Sequence, residues 1–105
     1  MPENIPSNVL FHQRPDGRQL AYRKTGQGAP LVMLHGWSMS GAVFDEVATL
    51  LSKDFLVISP DLCGHGWSDT ATEYNLDLFV DDIIGLLDSL QITHAAVLGW
   101  SLGGQ

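Results

Sequence analysis

The sequence predicts an α/β fold in which a β-hairpin precedes a parallel sheet of βαβαβ form. Three observations lead to this prediction: three short apolar runs without polar alternation, two segments of helical period between them, and a turn-rich pair of strand-like segments in front. Such runs suit strands buried on both faces of a parallel sheet. Strands that alternate with helices are typical of a doubly wound sheet. With 105 residues, the chain has room for one small domain.

The predicted hairpin consists of residues 8–12 and 19–25. Between them lies the segment Arg14-Pro15-Asp16-Gly17-Arg18, in which proline presets a turn and glycine supplies a positive φ. The three apolar runs that follow cover residues 31–34, 55–59 and 95–99.

Two segments between these runs have the period of an amphipathic helix. The apolar stripe of the first consists of Val43, Val47, Leu50 and Leu51. The stripe of the second consists of Leu76, Phe79, Val80, Ile83, Leu87 and Leu90. The acidic residues that fall largely off this second stripe are Asp77, Asp81, Asp82 and Asp88. Asn75 is the predicted N-cap of the second helix, and Gly85 within it predicts close packing against a neighbour.

Composition excludes several classes of function. The net charge is −7, and residues 54–105 hold eight acidic residues and no Lys or Arg, so we expect no nucleic-acid partner. No apolar run is long enough for a membrane span and no export signal is evident, so we expect no membrane partner. Cys63 is the single cysteine, which rules out an internal disulfide and favours the cytoplasm.

We predict neither a metal site nor a cofactor. No His, Cys and Asp spacing resembles a metal-ligand set. Gly26 and Gly28 form a G-x-G pattern, but Pro30 and a strand follow it, whereas a dinucleotide fingerprint opens a helix.

Chemistry is expected in the loops after the three parallel strands, because open α/β sheets bind ligands at the carboxyl ends of their strands. These loops begin with His35-Gly36-Trp37-Ser38, Asp61-Leu62-Cys63-Gly64-His65 and Gly99-Trp100-Ser101-Leu102-Gly103. The last fits G-x-S-x-G, directly after a strand-like run. That context predicts a nucleophile elbow, in which flanking glycines leave room for a strained turn. The alternative is an ordinary glycine turn.

Taken together, the order and approximate spacing of the three loops resemble the α/β-hydrolase superfamily. Within it, HGW plus GWSLGG is most similar to carboxylesterases related to the pimeloyl-acyl-carrier-protein methyl ester esterase. The resemblance implies hydrolysis of carboxylic esters, with Ser101 as nucleophile and the backbone N–H groups of Trp37 and Leu102 as the oxyanion hole. A serine there disfavours the dehalogenase and epoxide-hydrolase branches, which use Asp. Cys63 stands where the family more often has Arg or Pro, a departure expected to affect loop packing.

In the family the triad follows the order Ser, then Asp or Glu, then His, and four residues follow Ser101 in this sequence. The resemblance therefore implies that residues 1–105 are the N-terminal portion of one α/β-hydrolase domain, truncated just after the elbow. The acid and the His are expected beyond its end, and the chain alone is expected to be inactive. A non-catalytic fragment or interaction module remains the alternative. Haloperoxidase-like, carbon–carbon-bond hydrolase and acyltransferase activities also remain open.

None of the four histidines is a convincing replacement base. His94 lies seven residues before Ser101 in an extended run, roughly 23 Å away, and His12 belongs to the hairpin. His35 and His65 lie at the catalytic end of the sheet, where they act either as base or as loop-stabilising hydrogen-bond partners.

Several other residues are candidates either for the functional site or for a structural role. Asp61 and Asp69 are expected to fix their own loop rather than to serve as the triad acid. Trp37, Trp67 and Trp100 either line an acyl or alkyl pocket or cap the core. The expected partners are a small ester or acyl substrate and, through the unpaired edge of strand 95–99, another chain.

Overall fold

A computed structural model describes residues 5–104. Its strands are β1 (Val9–Gln13), β2 (Gln19–Thr25), β3 (Ala29–Leu34), β4 (Phe55–Pro60) and β5 (Ala96–Gly99). Its α-helices are α1 (Asp45–Leu51) and α2 (Leu76–Ser89), with short 3₁₀ turns at Gly41–Phe44 and Ser101–Gly104. Within the described residues, no helix has the length and apolar character needed to cross a membrane.

The strands form one mixed sheet in the order β1-β2-β4-β3-β5. β2 pairs antiparallel with both β1 and β4, whereas β3 pairs parallel with β4 and with β5. The predicted hairpin and the βαβαβ unit are thus confirmed. The carboxyl ends of β3, β4 and β5 lie at the same end of the sheet, so the three loops that follow them lie close together.

The helices cover opposite faces of the sheet, and the alternation along β3 shows how. Val32 packs in a cluster with Leu86 of α2. Its neighbour Met33 points to the other face and packs with Phe44 and Ala48. Successive side chains of a strand alternate between faces, so β3 anchors both layers.

The predicted stripe of the first helix is wrong in orientation. Val43, Val47 and Leu50 are 53%, 45% and 72% exposed, whereas Phe44 and Ala48 are buried. The helix is rotated by about one residue, or 100°, from the predicted position. The sequence did not distinguish the two faces, since both carry apolar residues at helical spacing.

Asp82 on α2 was expected at the surface and is instead 1% exposed. Arg18 binds its carboxylate with two nitrogens at 2.9 Å, and Arg14 Nε donates to it at 2.9 Å. Two guanidinium groups from the hairpin turn compensate its burial. Gly85 has the predicted packing role, because a Cβ there would collide with the Arg14 guanidinium.

Of the remaining predictions for α2, the N-cap is confirmed and the apolar stripe is wrong in part. Asn75 is the N-cap, accepting from Leu78 N–H at 2.8 Å. Leu76 and Val80 of the predicted stripe are about half exposed, and Leu86, outside it, is fully buried. The exposed stripe residues face a groove beside β5 rather than the sheet.

β5 is an edge strand whose burial was predicted wrongly. Each of its four residues is exposed, with Val97 at 61% and Leu98 at 43%. Among the described strands it pairs only with β3. Its apolar run resembles that of a strand buried on both faces, but in this structure α1 and α2 pack over β3 and β4 and leave both faces of β5 open.

Candidate active site

The turn after β5 holds Ser101 in a strained conformation. Its φ is +54°, a left-handed value in a residue other than glycine. Such angles are costly for residues with a side chain and concentrate at functional sites. Ser101 is exposed and opens the 3₁₀ turn Ser101–Gly104. The residue predicted as the nucleophile therefore lies on a sharp, solvent-facing turn at the carboxyl end of a strand.

Glycines on both sides of Ser101 allow this turn to close. A Cβ on Gly99 would lie 2.5 Å from the Gly104 Cα and collide with the Gly103 carbonyl. On Gly103 it would lie 2.7 Å from the His35 carbonyl oxygen and collide with that of Leu34. A side chain at Gly99 would push the end of the turn away from β5, and one at Gly103 would push it away from β3. The G-x-S-x-G spacing thus has a steric cause in this structure.

The loop after β3 lies directly against the Ser101 turn. Trp100 N–H donates to the Leu34 carbonyl at 2.9 Å, and a Cβ on Gly36 would lie 3.3 Å from the Ser101 Cβ. Within residues 5–104, neither the Trp37 nor the Leu102 N–H donates to a protein acceptor. The segment Gly36-Trp37 therefore lies against the turn that holds Ser101 and Leu102.

His35 is a positioning group with no free ring nitrogen. It is fully buried, and its Nε2 accepts from Leu62 N–H at 2.9 Å. The ring proton therefore resides on Nδ1, which donates to the Gly36 carbonyl at 2.7 Å. Burial is the main reason that the pKa of His35 lies below its ordinary value. A neutral, doubly bonded His35 ties the Gly36-Trp37 segment to the loop after β4 and has no nitrogen left to act as a base.

His65 lies beside His35 and packs under Trp37. Its Nδ1 lies 3.0 Å from the Cys63 carbonyl, and its ring meets that of Trp37 edge-on at 5.0 Å. His12 lies on β1, and His94 lies two residues before β5. Among the hydrogen bonds of residues 5–104, none joins a histidine to Ser101.

Asp61 connects the two loops from a fully buried position. Its Oδ1 accepts from Gly41 N–H at 2.6 Å and from Arg23 Nη1 at 3.1 Å, and its Oδ2 accepts from Trp67 N–H at 2.9 Å. The expected bond within its own loop is present, and the bond to Gly41 adds the segment after β3. Arg23, a buried cation on β2, was missed by sequence reasoning, although an arginine in a strand next to apolar residues is a usable signal.

Asp69 was expected to fix its own loop, and for its carboxylate this prediction is wrong. The carboxylate accepts from Gln19 N–H at 2.8 Å and so attaches the loop to β2. Ser68 has the same effect, since its hydroxyl accepts from Ala21 N–H at 2.8 Å and donates to the Asp61 carbonyl at 2.6 Å. The loop after β4 is therefore attached to the hairpin along its length.

Cys63 packs in that loop, buried against Arg18. Arg18 Nη1 lies 3.1 Å from the thiol, which lies 3.4 Å from the Asp69 carbonyl. Burial raises the pKa of the Cys63 thiol above its ordinary value. Cys63 belongs to a buried cluster with Leu62 and Phe79, against which Leu102 packs, so its side chain contributes to the packing of the loop.

Two apolar grooves lie beside β5, one on each face of the sheet. The α2 groove, about 310 Å³ in volume, is lined by Leu34, Phe79, Val80, Ile83, Val97 and Leu102. The α1 groove, about 440 Å³, is lined by Met33, Met39, Val43, Phe44, Leu98 and Trp100. Trp37 and Trp100 are each 60% exposed, so neither caps a closed core in this structure.

Comparison with known proteins identifies the family. The family described as the alpha/beta hydrolase fold matches residues 29–105. A pimeloyl-[acyl-carrier protein] methyl ester esterase of Chromobacterium violaceum is 44% identical over 79 residues, covering 75% of this chain and 30% of the esterase. A 2-(acetamidomethylene)succinate hydrolase of Mesorhizobium japonicum is 37% identical over 108 residues, covering 100% of this chain and 39% of the hydrolase.

A solved structure gives the same result in three dimensions. The crystal structure of a hydrolase from Pseudomonas aeruginosa PA01 superimposes with a TM-score of 0.88 at 33% identity, covering 93% of this chain and 38% of that one. The chain spans between about a third and two fifths of the length of these similar proteins. The fold, the turn at Ser101 and the family match agree: the chain belongs to the α/β-hydrolase family.

Proposed function

We propose that this chain supplies the nucleophile and the oxyanion hole of a serine hydrolase that acts on carboxylic esters. The observation that carries the proposal is the Ser101 turn, with φ of +54° between two sterically required glycines and the Trp37 loop against it. A residue with a purely structural role has no need of a strained backbone on a turn that faces solvent.

The chemistry proceeds through an acyl-enzyme. Ser101 Oγ attacks the ester carbonyl carbon while a histidine base takes its proton, and the negative charge on the carbonyl oxygen is stabilised by the N–H groups of Trp37 and Leu102. The tetrahedral intermediate then expels the alcohol, which receives the proton from the histidine. Water, activated by the same base, later releases the acid from Ser101.

The base and its acidic partner come from outside residues 1–105. His35 has both nitrogens engaged, and Asp61 accepts three hydrogen bonds from the scaffold. Loss of a triad base lowers kcat by on the order of 10⁶ in a well-studied protease. We therefore expect the isolated chain to be nearly inactive.

An ester substrate is supported by the methyl ester esterase of Chromobacterium violaceum, which matches at 44% identity, and by the apolar lining of the α1 groove beside Trp100. A non-catalytic interaction module is the competing function. It predicts the same fold without a reactive serine.

A fluorophosphonate probe distinguishes these functions. The protein for this test is a fusion of residues 1–105 with the part of the Chromobacterium violaceum esterase that follows its matched segment. We expect covalent labelling that is lost in Ser101→Ala and retained in Ser38→Ala. Ser38 is a matched control, since it is also exposed, also at positive φ and in a neighbouring loop. Equal labelling of both variants, or labelling of neither parent nor variant in a folded fusion, would contradict the proposal.

A further inference from the structure

A third cavity, about 320 Å³ in volume, lies between the loops after β3 and β4. Its walls include Trp37, Gly64, His65 and Tyr74, and it shares no lining residue with the two grooves beside β5. No Asp, Glu, Lys or Arg among the described residues lines it. Trp37 belongs both to this wall and to the proposed oxyanion hole, so a ligand in the cavity would lie next to the Ser101 turn.

The aromatic walls are fixed by contacts with one another and with α2. The ring of Trp37 meets that of His65 edge-on at 5.0 Å. Phe79, which is buried on α2, contacts the other two rings: its centroid is 6.5 Å from that of His65 and 6.2 Å from that of Tyr74. The Tyr74 hydroxyl also accepts from Ala71 N–H at 3.1 Å. Two of the three rings therefore pack on a buried side chain, and the third packs on one of them.

Gly64 allows Tyr74 to close one side of the cavity. The φ of Gly64 is +77°. A Cβ there would lie 2.6 Å from the Tyr74 hydroxyl oxygen and 2.9 Å from a carbon of its ring. A residue with a side chain at this position would be strained and would displace Tyr74. The glycine is thus matched to the ring that forms the wall.

His65 supplies the cavity with a hydrogen-bond acceptor. The residue is 9% exposed. Its Nδ1 lies 3.0 Å from the Cys63 carbonyl oxygen, which can only accept. The proton of the neutral ring therefore resides on Nδ1, and a lone pair remains on Nε2. No group within residues 5–104 donates to Nε2.

This unpartnered nitrogen is open to solvent. In the part of the chain that the structure describes, Arg23 Nε is the only side-chain nitrogen or oxygen that is both shielded from solvent and without a hydrogen bond. His65 Nε2 has no hydrogen bond, so it must reach solvent, and its ring lines this cavity. The cavity therefore combines aromatic walls with a free acceptor on a largely buried ring.

We propose that the cavity binds a neutral aromatic ring that carries an O–H or N–H donor, as one part of the substrate whose ester carbonyl Ser101 attacks. The donor binds His65 Nε2, where the low local polarity strengthens a hydrogen bond. The ring packs on Trp37 and Tyr74 in the edge-to-face and offset arrangements that aromatic pairs prefer. The place of this ring in an ester substrate rests on the proposed function, whereas its binding to the cavity does not.

Other small ligands match the cavity less well. Aromatic walls also attract quaternary ammonium ions, but such ions carry no donor for His65 Nε2 and find no carboxylate among the residues that line the cavity. An alkyl chain would leave Nε2 without a partner, and the α1 groove offers it walls of Met33, Val43 and Leu98 instead. A ring with a donor satisfies both features of the cavity.

Binding of phenol to the 105-residue chain tests the inference without any need for catalysis. The ¹⁵N-labelled chain is titrated with phenol and, separately, with anisole, in which a methyl ether replaces the donor. The Kd of each is measured from the chemical shifts of backbone amides. We expect phenol to shift the amides of Trp37, Gly64 and His65 and to bind about three- to tenfold more tightly than anisole, the contribution of one hydrogen bond. Tetramethylammonium should leave these amides unshifted.

Two variants separate the acceptor from the aromatic wall. His65→Phe keeps a ring beside Trp37 and removes Nε2, so phenol and anisole should bind it equally. Tyr74→Leu should weaken both ligands alike and keep the preference for phenol. His94→Phe is the matched control for His65→Phe, since His94 is exposed and does not line the cavity, and it should keep both the affinity and the preference.

Inhibition of the fusion tests whether the cavity takes part of the substrate. Phenol should inhibit hydrolysis of phenyl acetate competitively in the parent fusion, with an inhibition constant close to its Kd, and about three- to tenfold more weakly in His65→Phe. A fusion without esterase activity would contradict the proposed function and the substrate role of the cavity. It would leave the measured binding of phenol to the 105-residue chain as it stands.

Four outcomes would overturn the inference. The first is equal affinity for phenol and anisole in the parent chain. The second is a set of shifted amides on β5 and α1 instead of at Trp37, Gly64 and His65. The third is an unchanged preference for phenol in His65→Phe. The fourth is phenol that binds the chain but does not inhibit an active fusion.

Discussion

The loops after β3 and β4 differ from the turn after β5 in how they are held. The first two are joined by side-chain bonds between His35 and Leu62 and between Asp61 and Gly41, and Asp61 also accepts from Trp67 within its own loop. The Ser101 turn is held by a backbone bond to Leu34, by glycine contacts and by the packing of Leu102, at the end of an exposed strand. The loops after β3 and β4 are therefore held by polar side-chain bonds, whereas the turn that presents Ser101 is held by backbone and apolar contacts. Preorganised hydrogen-bond donors supply the largest share of the rate enhancement in many enzymes.

Removing the Ser101 hydroxyl should have the largest effect on activity. In the fusion, Ser101→Ala is expected to lower kcat for a short-chain ester by on the order of 10⁶, because no other nucleophile is proposed. Steady-state kinetics measure this, with Ser38→Ala as control. A Ser101→Ala enzyme within tenfold of the parent would remove Ser101 from the mechanism.

Asp61 should be the most important single side chain for the joined loops. Asp61→Ala removes the buried partner of Arg23 and leaves it only the exposed Asp45 carboxylate at 3.7 Å; breaking a buried pair costs roughly 3 to 5 kcal/mol. Asp69→Ala, in which an exposed carboxylate loses one bond to Gln19, is expected to cost about 1 kcal/mol. Urea unfolding of the two fusion variants makes the comparison. Similar losses in both would mean that Asp61 does not organise the loops.

At Trp37, the role of the backbone N–H in the oxyanion hole can be tested separately from the role of the side chain in the pocket wall. Trp37→Pro removes the backbone donor and should lower kcat by roughly 10² to 10³, with a smaller change in KM. Trp37→Phe keeps the donor and should alter substrate preference modestly. Circular dichroism must show both variants folded. Equal and small effects on kcat would show that this amide does not face the developing charge.

A smaller effect is expected from pH, through His35. Its pKa is lowered by burial, so the unfolded state binds a proton more readily than the folded state. The corresponding stability is complete above the ordinary histidine pKa of about 6.5 and declines as the pH falls below that value. Unfolding free energies between pH 8 and pH 5 should decline less in His35→Gln than in the parent. Burial also lowers the pKa of His12, so part of the pH dependence of stability remains in both the parent and His35→Gln.

His94→Gln is the control for this experiment, since His94 is exposed outside the joined loops. An identical pH dependence in His35→Gln and the parent would show that His35 is not held neutral in the loop.

The sequence predicted the sheet well where local pattern decides the structure. The hairpin turn, the apolar runs of β3 and β4, and the Asn75 cap all depend on residues close in sequence, and all are confirmed. The strained turn at Ser101 could be expected from glycine spacing for the same reason.

Burial was predicted less well, because it depends on which elements cover which. Asp82 is buried because Arg14 and Arg18 reach it from the hairpin turn, 64 to 68 residues earlier. β5 has the apolar pattern of an internal strand but lies uncovered at an edge. The bonds from Arg23 to Asp61 and from Leu62 to His35 likewise join residues 27 to 38 positions apart, which no local pattern reveals.

Trapping the acyl-enzyme tests directly whether Ser101 is the nucleophile. The fusion is mixed with an activated short-chain ester and quenched in acid within one turnover, and its peptic peptides are analysed by mass spectrometry. We expect one acyl group, attached to the peptide that contains Ser101 and absent from the Ser101→Ala variant. Turnover of the ester without an acyl group on Ser101, or with the group on another residue, would contradict it.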